Sequence, residues 1–216
     1  MPAKLDNVAL FNALPERDLA ALADHAVIKA FPKNTVVVNE GDETDSLYVI
    51  LSGRVKIFLA DENGREFILG GAGPGEYFGE VALDGGPRSA SVMTLEPCRF
   101  AVIPRAEMKV FIGAHPGIAL SIMINLSRRV RTLTENVKSL ALMDVYGRVA
   151  RLLLDLARKE KGTMVVGEAL TQQAIADRVG ASRVMISRIL KDLTTGGYIS
   201  MQDRKIVIHR KPPAAW

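Results

Sequence analysis

The 216-residue chain has one cysteine, Cys98, and only three histidines, His25, His115 and His209. A single thiol excludes a disulfide framework and any iron–sulfur cluster built on several thiolates of one chain. The histidines fall in three separate regions with no second ligand close by, so the clustered His and carboxylate set of a metalloenzyme is missing. Neither a metal, a haem nor an iron–sulfur cofactor is expected. Although 48% of residues are hydrophobic, no run reaches 18 apolar residues, so no segment is expected to span a membrane. The first 26 residues interleave acids with apolar residues and offer no small-residue cleavage site, unlike a secretory signal. A reducing, cytoplasmic setting fits best. Cys98 follows Pro97 on the approach to a strand and reads as a small buried apolar residue. No base is recognisable near it, and no catalytic constellation appears, so an enzyme is not expected.

What is present is organised around one helix, residues 117–143. Ala119, Met123, Leu126, Val130, Leu133, Val137 and Leu140 recur at spacings of four and three, the seam of a supercoiled helix pair. A long core helix inside one domain would show the same periodicity. The flanks favour a spine that joins two domains and pairs two subunits. Residues 1–143 hold 15 Lys+Arg against 17 Asp+Glu, net −2, whereas residues 144–216 hold 13 against 7, net +6. A basic module on a near-neutral one suggests a polyanionic partner for the C-terminal part.

The first flank opens with short helices over residues 5–25, with Pro15-Glu16-Arg17 as a helix start. Strands are expected at 35–38, 46–51, 54–59, 66–69, 91–95 and 99–103, with a hairpin at Asp61-Glu62-Asn63-Gly64. Short strands at this spacing indicate an antiparallel roll or barrel. Within it, Gly75-Glu-Tyr-Phe-Gly-Glu-Val-Ala-Leu-Asp-Gly-Gly-Pro-Arg-Ser-Ala90 stands out. Its glycines permit close backbone approach to a ligand, and a turn beginning at Gly79-Glu80-Val81 exposes amide N–H groups. Arg88 supplies a fork for phosphate, Ser89 a hydroxyl, and Glu80 an acceptor for a sugar hydroxyl. The stretch resembles the phosphate-binding cassette of cyclic-nucleotide-binding domains. That resemblance implies Glu80 on the ribose 2′-hydroxyl, with Arg88, Ser89 and the amides around Gly79 and Val81 on the cyclic phosphate. The loop from Glu80 to Arg88 is shorter than in most of the family. Arg88→Ala is expected to remove the ligand response with the roll still folded.

The second flank begins at Asp144, a good N-cap for a helix over 145–159. A strand near 164–166 follows. Thr171 can cap a helix over 172–179, Gly180-Ala181 turns the chain, and Ser182 caps a second helix over 183–194. Segments 198–201 and 205–208 pair about Gln202-Asp203-Arg204. Helix, short glycine turn, helix and β-wing make a winged helix-turn-helix. Ala174, Ile175, Val179, Val184 or Met185, Ile186, Ile189, Leu190 and Leu193 are expected to face inward. Arg183, Ser187, Arg188 and Lys191 share the exposed face.

Leu170-Thr-Gln-Gln-Ala-Ile-Ala-Asp-Arg-Val-Gly-Ala-Ser-Arg-Val-Met-Ile-Ser-Arg-Ile-Leu-Lys-Asp-Leu193 and the cassette together resemble the CRP/FNR family of transcriptional regulators. The resemblance covers nearly the whole chain. It implies an α+β fold: a cyclic-nucleotide-binding β-roll (double-stranded jelly roll) over residues 1–115, a dimerisation helix over 116–143 and a winged helix-turn-helix over 144–216. Arg129, Leu133 and Thr134 match the segment that closes over the base, with Leu133 standing where a hydroxyl residue is usual. Thr171, Gln172, Ser182, Arg183, Val184, Ser187, Arg188 and Lys191 match DNA-contacting positions. Val184 replaces the family's glutamate, which implies an operator related to a TGTGA half-site but altered or relaxed where residue 184 reads. The expected molecule is a homodimer on double-stranded DNA, with RNA polymerase as a further partner. Its effector would be cyclic AMP first, with cyclic di-GMP or ligand-independent action as alternatives. Two other classes compete: a nucleotide-binding module acting through protein contacts, and a β-roll enzyme.

Overall fold

The computed structural model describes residues 5, 8–11, 14–160, 162–167, 170–203 and 205–213. Arg204, the centre of the expected wing turn, lies outside them. The chain divides into two compact units: residues 1–61 with 68–131, and residues 62–67 with 132–216.

The first unit opens with a 3-10 turn, Ala9–Phe11, and α1 (Glu16–Asp24), whose N-cap Pro15 sits at φ −58, already set for a helix start. Strands β1 (Val27–Phe31), β2 (Val36–Val38), β3 (Ser46–Ser52), β4 (Val55–Ala60), β5 (Glu66–Ala72), β6 (Tyr77–Phe78), β7 (Ser91–Thr94) and β8 (Cys98–Pro104) follow. They form two four-stranded sheets, ordered β1-β8-β3-β6 and β2-β7-β4-β5. Strands β3 and β8 read as continuous apolar runs because both of their faces are covered. Tyr48, Ile50, Phe100 and Val102 point into a core with Val38, Val55 and Phe78. Leu47, Val49, Ala101 and Ile103 point the other way, against Leu22, Met108, Ile118 and Ile122. Tyr48 stacks on Phe78 at 4.9 Å between centroids, and Phe100 meets Phe78 edge-on at 5.5 Å, geometries that aromatic quadrupoles favour.

All six expected strands form. Strands β1 and β6 and helix α2 (Arg105–Ala114) were not expected. Strand β6 has two residues, too few for a periodic signal. Helix α2 follows β8 directly, with Pro104 as N-cap and no side-chain capping bond to announce it. The long helix is α3, Pro116–Leu142, 27 residues or roughly 40 Å. Its first turns bury Ile118 and Ile122 in the roll core, and Leu126 packs partly against the same cluster.

The second unit contains α4 (Val145–Leu156), β9 (Ala157–Glu160), β10 (Thr163–Val166), α5 (Gln172–Val179), α6 (Arg183–Thr195), β11 (Ile199–Gln202) and β12 (Lys205–Ile208). The expected helix over 145–159 is too long. After Leu156 the chain leaves the helix and pairs Ala157–Glu160 antiparallel with Thr163–Val166, turning at Gly162 with φ +90. Ladder hydrogen bonds to β10 outweigh the helix propensity of Ala-Arg-Lys-Glu, a long-range effect that local propensity does not carry. The four strands order β11-β12-β10-β9. Three helices begin on side-chain caps: Asp144 accepts from the Gly147 N–H, Thr171 from Ala174 and Ser182 from Met185. Gly180, at φ +65, makes the left-handed turn between α5 and α6. Val149, Leu153, Ile175, Val179, Ile186, Leu193 and Ile206 form the core. Removing the Asp144 cap, Asp144→Ala, is expected to cost about 1 kcal/mol of this unit's stability in denaturant unfolding.

A buried arginine cradle and an exposed recognition helix

In the first unit, β6 ends at Phe78 and the chain turns through Gly79 at φ +88 into a 3-10 turn, Glu80–Asp84. Only glycine suits this corner. A Cβ on Gly79 would lie 2.5 Å from Arg88 Nη1 and 2.8 Å from the Ser46 carbonyl. Arg88 therefore enters directly beneath the turn. The residue is 4% exposed, and each of its three guanidinium nitrogens donates to the protein. Nε donates to Thr44 Oγ1 at 2.8 Å, Nη1 to the Gly79 carbonyl at 3.0 Å and Nη2 to the Ser46 carbonyl at 2.7 Å. The guanidinium also stands 5.6 Å from the centre of the Tyr48 ring. Burial draws its pKa down, an effect opposed by Tyr48, Asp45, Asp42 and Glu80. The arginine remains a cation.

Glu80 is equally buried at 4% exposed. Its Oε1 accepts from Arg129 Nη1 on α3, and Arg129 Nη2 donates to the Tyr77 carbonyl at 2.6 Å. Oε2 of Glu80 is buried without a hydrogen-bond partner among the described residues. An orphaned carboxylate oxygen costs about 1–3 kcal/mol, and a ligand hydroxyl donating to it would recover that. The cradle thus offers one free acceptor and the remaining N–H groups of Arg88, a pairing suited to a sugar phosphate. Two N–H donors of the guanidinium are not used by the three bonds above.

The structure brings Gly79, Glu80, Arg88 and Arg129 together. Val81 and Ser89 are exposed at the cassette surface, while Leu133 and Thr134 are exposed on α3 in the second unit. The sequence reading missed Thr44, Ser46 and Tyr48, which lie outside the glycine-rich stretch, and Tyr77, which lies inside it but contributes its backbone carbonyl. The threefold anchoring of Arg88 gives the side chain a second role, so Arg88→Ala is expected to lower the stability of the roll as well as remove the ligand response. Two carbonyls and a hydroxyl would lose a buried donor.

Helix α6 presents Arg183, Ser187, Arg188 and Lys191 to solvent, as expected, and none has a hydrogen bond or ion pair among the described residues. Ile186, Ile189 and Leu193 are buried. Val184 and Met185 are not inward-facing: they are 64% and 45% exposed. The core is already filled from positions 186, 189 and 193, so residues two and one places earlier are rotated out of it. Thr171 and Ser182 use a lone pair as caps, which leaves their O–H groups free to donate; Gln172 is half-buried at the start of α5.

Among the described residues no group of three or more His, Cys, Asp or Glu side chains could hold a metal ion. Cys98 is buried, and burial pushes its thiol pKa up. No single helix among them is long and apolar enough to cross a membrane.

Comparison with known proteins agrees with both halves. Residues 28–115 match the cyclic nucleotide-binding domain model, and residues 147–212 match the Crp-like helix-turn-helix domain model. The chain is 35% identical over 209 residues to the CRP-like cAMP-activated global transcriptional regulator of Mycobacterium tuberculosis, covering 94% of this chain and 93% of that one. It is 33% identical over 191 residues to the cAMP-activated global transcriptional regulator CRP of Escherichia coli O157:H7, covering 86% and 90%. The solved structure of the c-di-GMP responsive global regulator CLP of Xanthomonas campestris superposes with a TM-score of 0.76 at 28% identity, covering 87% and 95%. With the roll, the long helix and the helix-turn-helix all in place, the chain belongs to the CRP/FNR family of DNA-binding transcriptional regulators.

Proposed function

We propose that the protein is a homodimeric transcription regulator in the cytoplasm, gated by a cyclic nucleotide and reading a palindromic operator. The observation that carries the gating is Glu80, buried with one oxygen on Arg129 and the other without a hydrogen-bond partner among the described residues. The ribose 2′-hydroxyl of the ligand donates to Glu80. The amides around Gly79 and Val81, with Arg88 and Ser89, receive the phosphate, and Arg129 meets the base. Cyclic AMP is the first choice, in keeping with the named activity of the mycobacterial and enterobacterial relatives. Leucine stands at 133 where the family usually has a hydroxyl residue, and the Xanthomonas relative is described as c-di-GMP responsive, so cyclic di-GMP is the second reading. Calorimetric titration with cyclic AMP, cyclic GMP and cyclic di-GMP decides between them. Heat with none of the three would refute gating by these nucleotides.

Dimerisation through α3 (Pro116–Leu142) joins the sensor, residues 1–115, to the DNA-binding segment, residues 144–216. Two recognition helices must stand about 34 Å apart to enter successive major grooves on one face of DNA. Ligand binding acts by its differential affinity for arrangements that do and do not meet this spacing. The bound dimer then presents a surface to RNA polymerase. Arg183 and Arg188 supply forks for guanine O6 and N7, with Thr171, Gln172, Ser182, Ser187 and Lys191 on neighbouring edges and phosphates. Arg188→Ala is expected to weaken operator binding by about 1–3 kcal/mol per half-site while ligand binding is unchanged. Mobility shift and calorimetry on the same preparation check this; loss of both activities would mean that the substitution acts through folding instead.

A further inference from the structure

The exposed face of α6 is cationic and polar except in its first turn. Residues three, four and seven places after Val184 are Ser187, Arg188 and Lys191, and Arg183 precedes it. On a helix these positions ring residue 184. With Ile186, Ile189 and Leu193 pinned in the core, Val184 is held outward, and Met185 flanks it. Both lie in the first turn after the Ser182 cap, the part of a recognition helix that meets base edges. A valine there can neither give nor accept a hydrogen bond. The complementary feature of a major groove is the one apolar group displayed on a base edge, the C5-methyl of a pyrimidine. The surrounding Arg183, Arg188 and Lys191 fit the flanking phosphates and purines, which orients the patch toward nucleic acid rather than protein.

We propose that Val184, with Met185 beside it, is a pyrimidine-methyl reader, so that thymine and 5-methylcytosine are both accepted at the facing position and unmodified cytosine is disfavoured. Cytosine methylation at that position then raises affinity. This deepens the DNA-reading function above and rests on it.

The test starts by selecting bound duplexes from a random pool with the full-length protein, in cyclic AMP, in cyclic di-GMP and without nucleotide. Each thymine of the selected half-site is then replaced by deoxyuridine, one position at a time. One position per half-site should lose roughly fourfold in affinity, the worth of one buried methyl-sized group. Cytosine placed there should bind weakly and recover on C5-methylation. Val184→Glu, whose acidic side chain suits a helix first turn, should fold, lose sensitivity to uracil and favour unmodified cytosine, whose amino group it can accept from. Indifference to deoxyuridine at every position overturns the proposal, as does unaltered sensitivity in Val184→Glu. Enrichment of no sequence in any condition is a separate failure, which overturns the DNA reading itself.

Discussion

Arg88→Ala should lower the melting temperature of the sensor unit by more than about 10 °C and abolish the nucleotide response. The side chain holds Thr44, Ser46 and Gly79 through three hydrogen bonds at 2.7–3.0 Å. Removing it leaves two part-buried carbonyls without that donor and opens a cavity under Gly79. Leaving an acceptor without its buried donor costs about 1–3 kcal/mol for each group, and each kcal/mol moves the midpoint of a domain this size by several degrees. Arg88→Lys separates the two roles. A lysine restores charge but not the fork, so it cannot reach three acceptors at once. It should recover part of the stability and little of the ligand affinity. Scanning calorimetry without nucleotide is the decisive reading, and a parental melting temperature for Arg88→Ala would show that the threefold anchoring contributes nothing.

Val137→Asp should convert the protein to a monomer and lower operator affinity by roughly two to four orders of magnitude, the advantage lost when two linked half-site contacts become one. Val130 and Val137 stand seven residues apart on α3 and are 61% and 64% exposed in the single chain, with Met123 a further seven before them. A valine that far out is not holding its own subunit together, so the substitution spares the subunit fold. Between two copies it would place facing carboxylates in the seam, where an unpaired buried charge is severely unfavourable. Lys138→Asp, one residue off the seam, places the same carboxylate outside it with a charge change twice as large, and should remain dimeric. Analytical ultracentrifugation reads both variants. A dimeric Val137→Asp protein would place the subunit contact elsewhere.

Much of this is legible in the sequence wherever the signal is local. Asp144, Thr171 and Ser182 cap their helices because a cap needs only a short side-chain oxygen and an N–H three residues on. Gly180 announces the turn of the helix-turn-helix because the left-handed corner excludes most other residues. The cassette was readable for the same reason, as glycines, a carboxylate and an arginine within one short stretch. Helix α4 marks the limit: nothing in Ala-Arg-Lys-Glu says that β10 will claim it.

The sequence by itself determined the longer strands and helices, the caps of α4, α5 and α6 and the cationic face of α6. These depend on residues a few places apart. Only the tertiary structure decided what the cradle is made of and which way Val184 points. Arg88 finds Thr44 and Ser46 at 44 and 42 residues' separation, and Arg129 finds Glu80 at 49. Val184 faces solvent because three other residues of its helix fill the core. Contacts that close such long loops are set by the packing of whole sheets and helices, and no local pattern carries them.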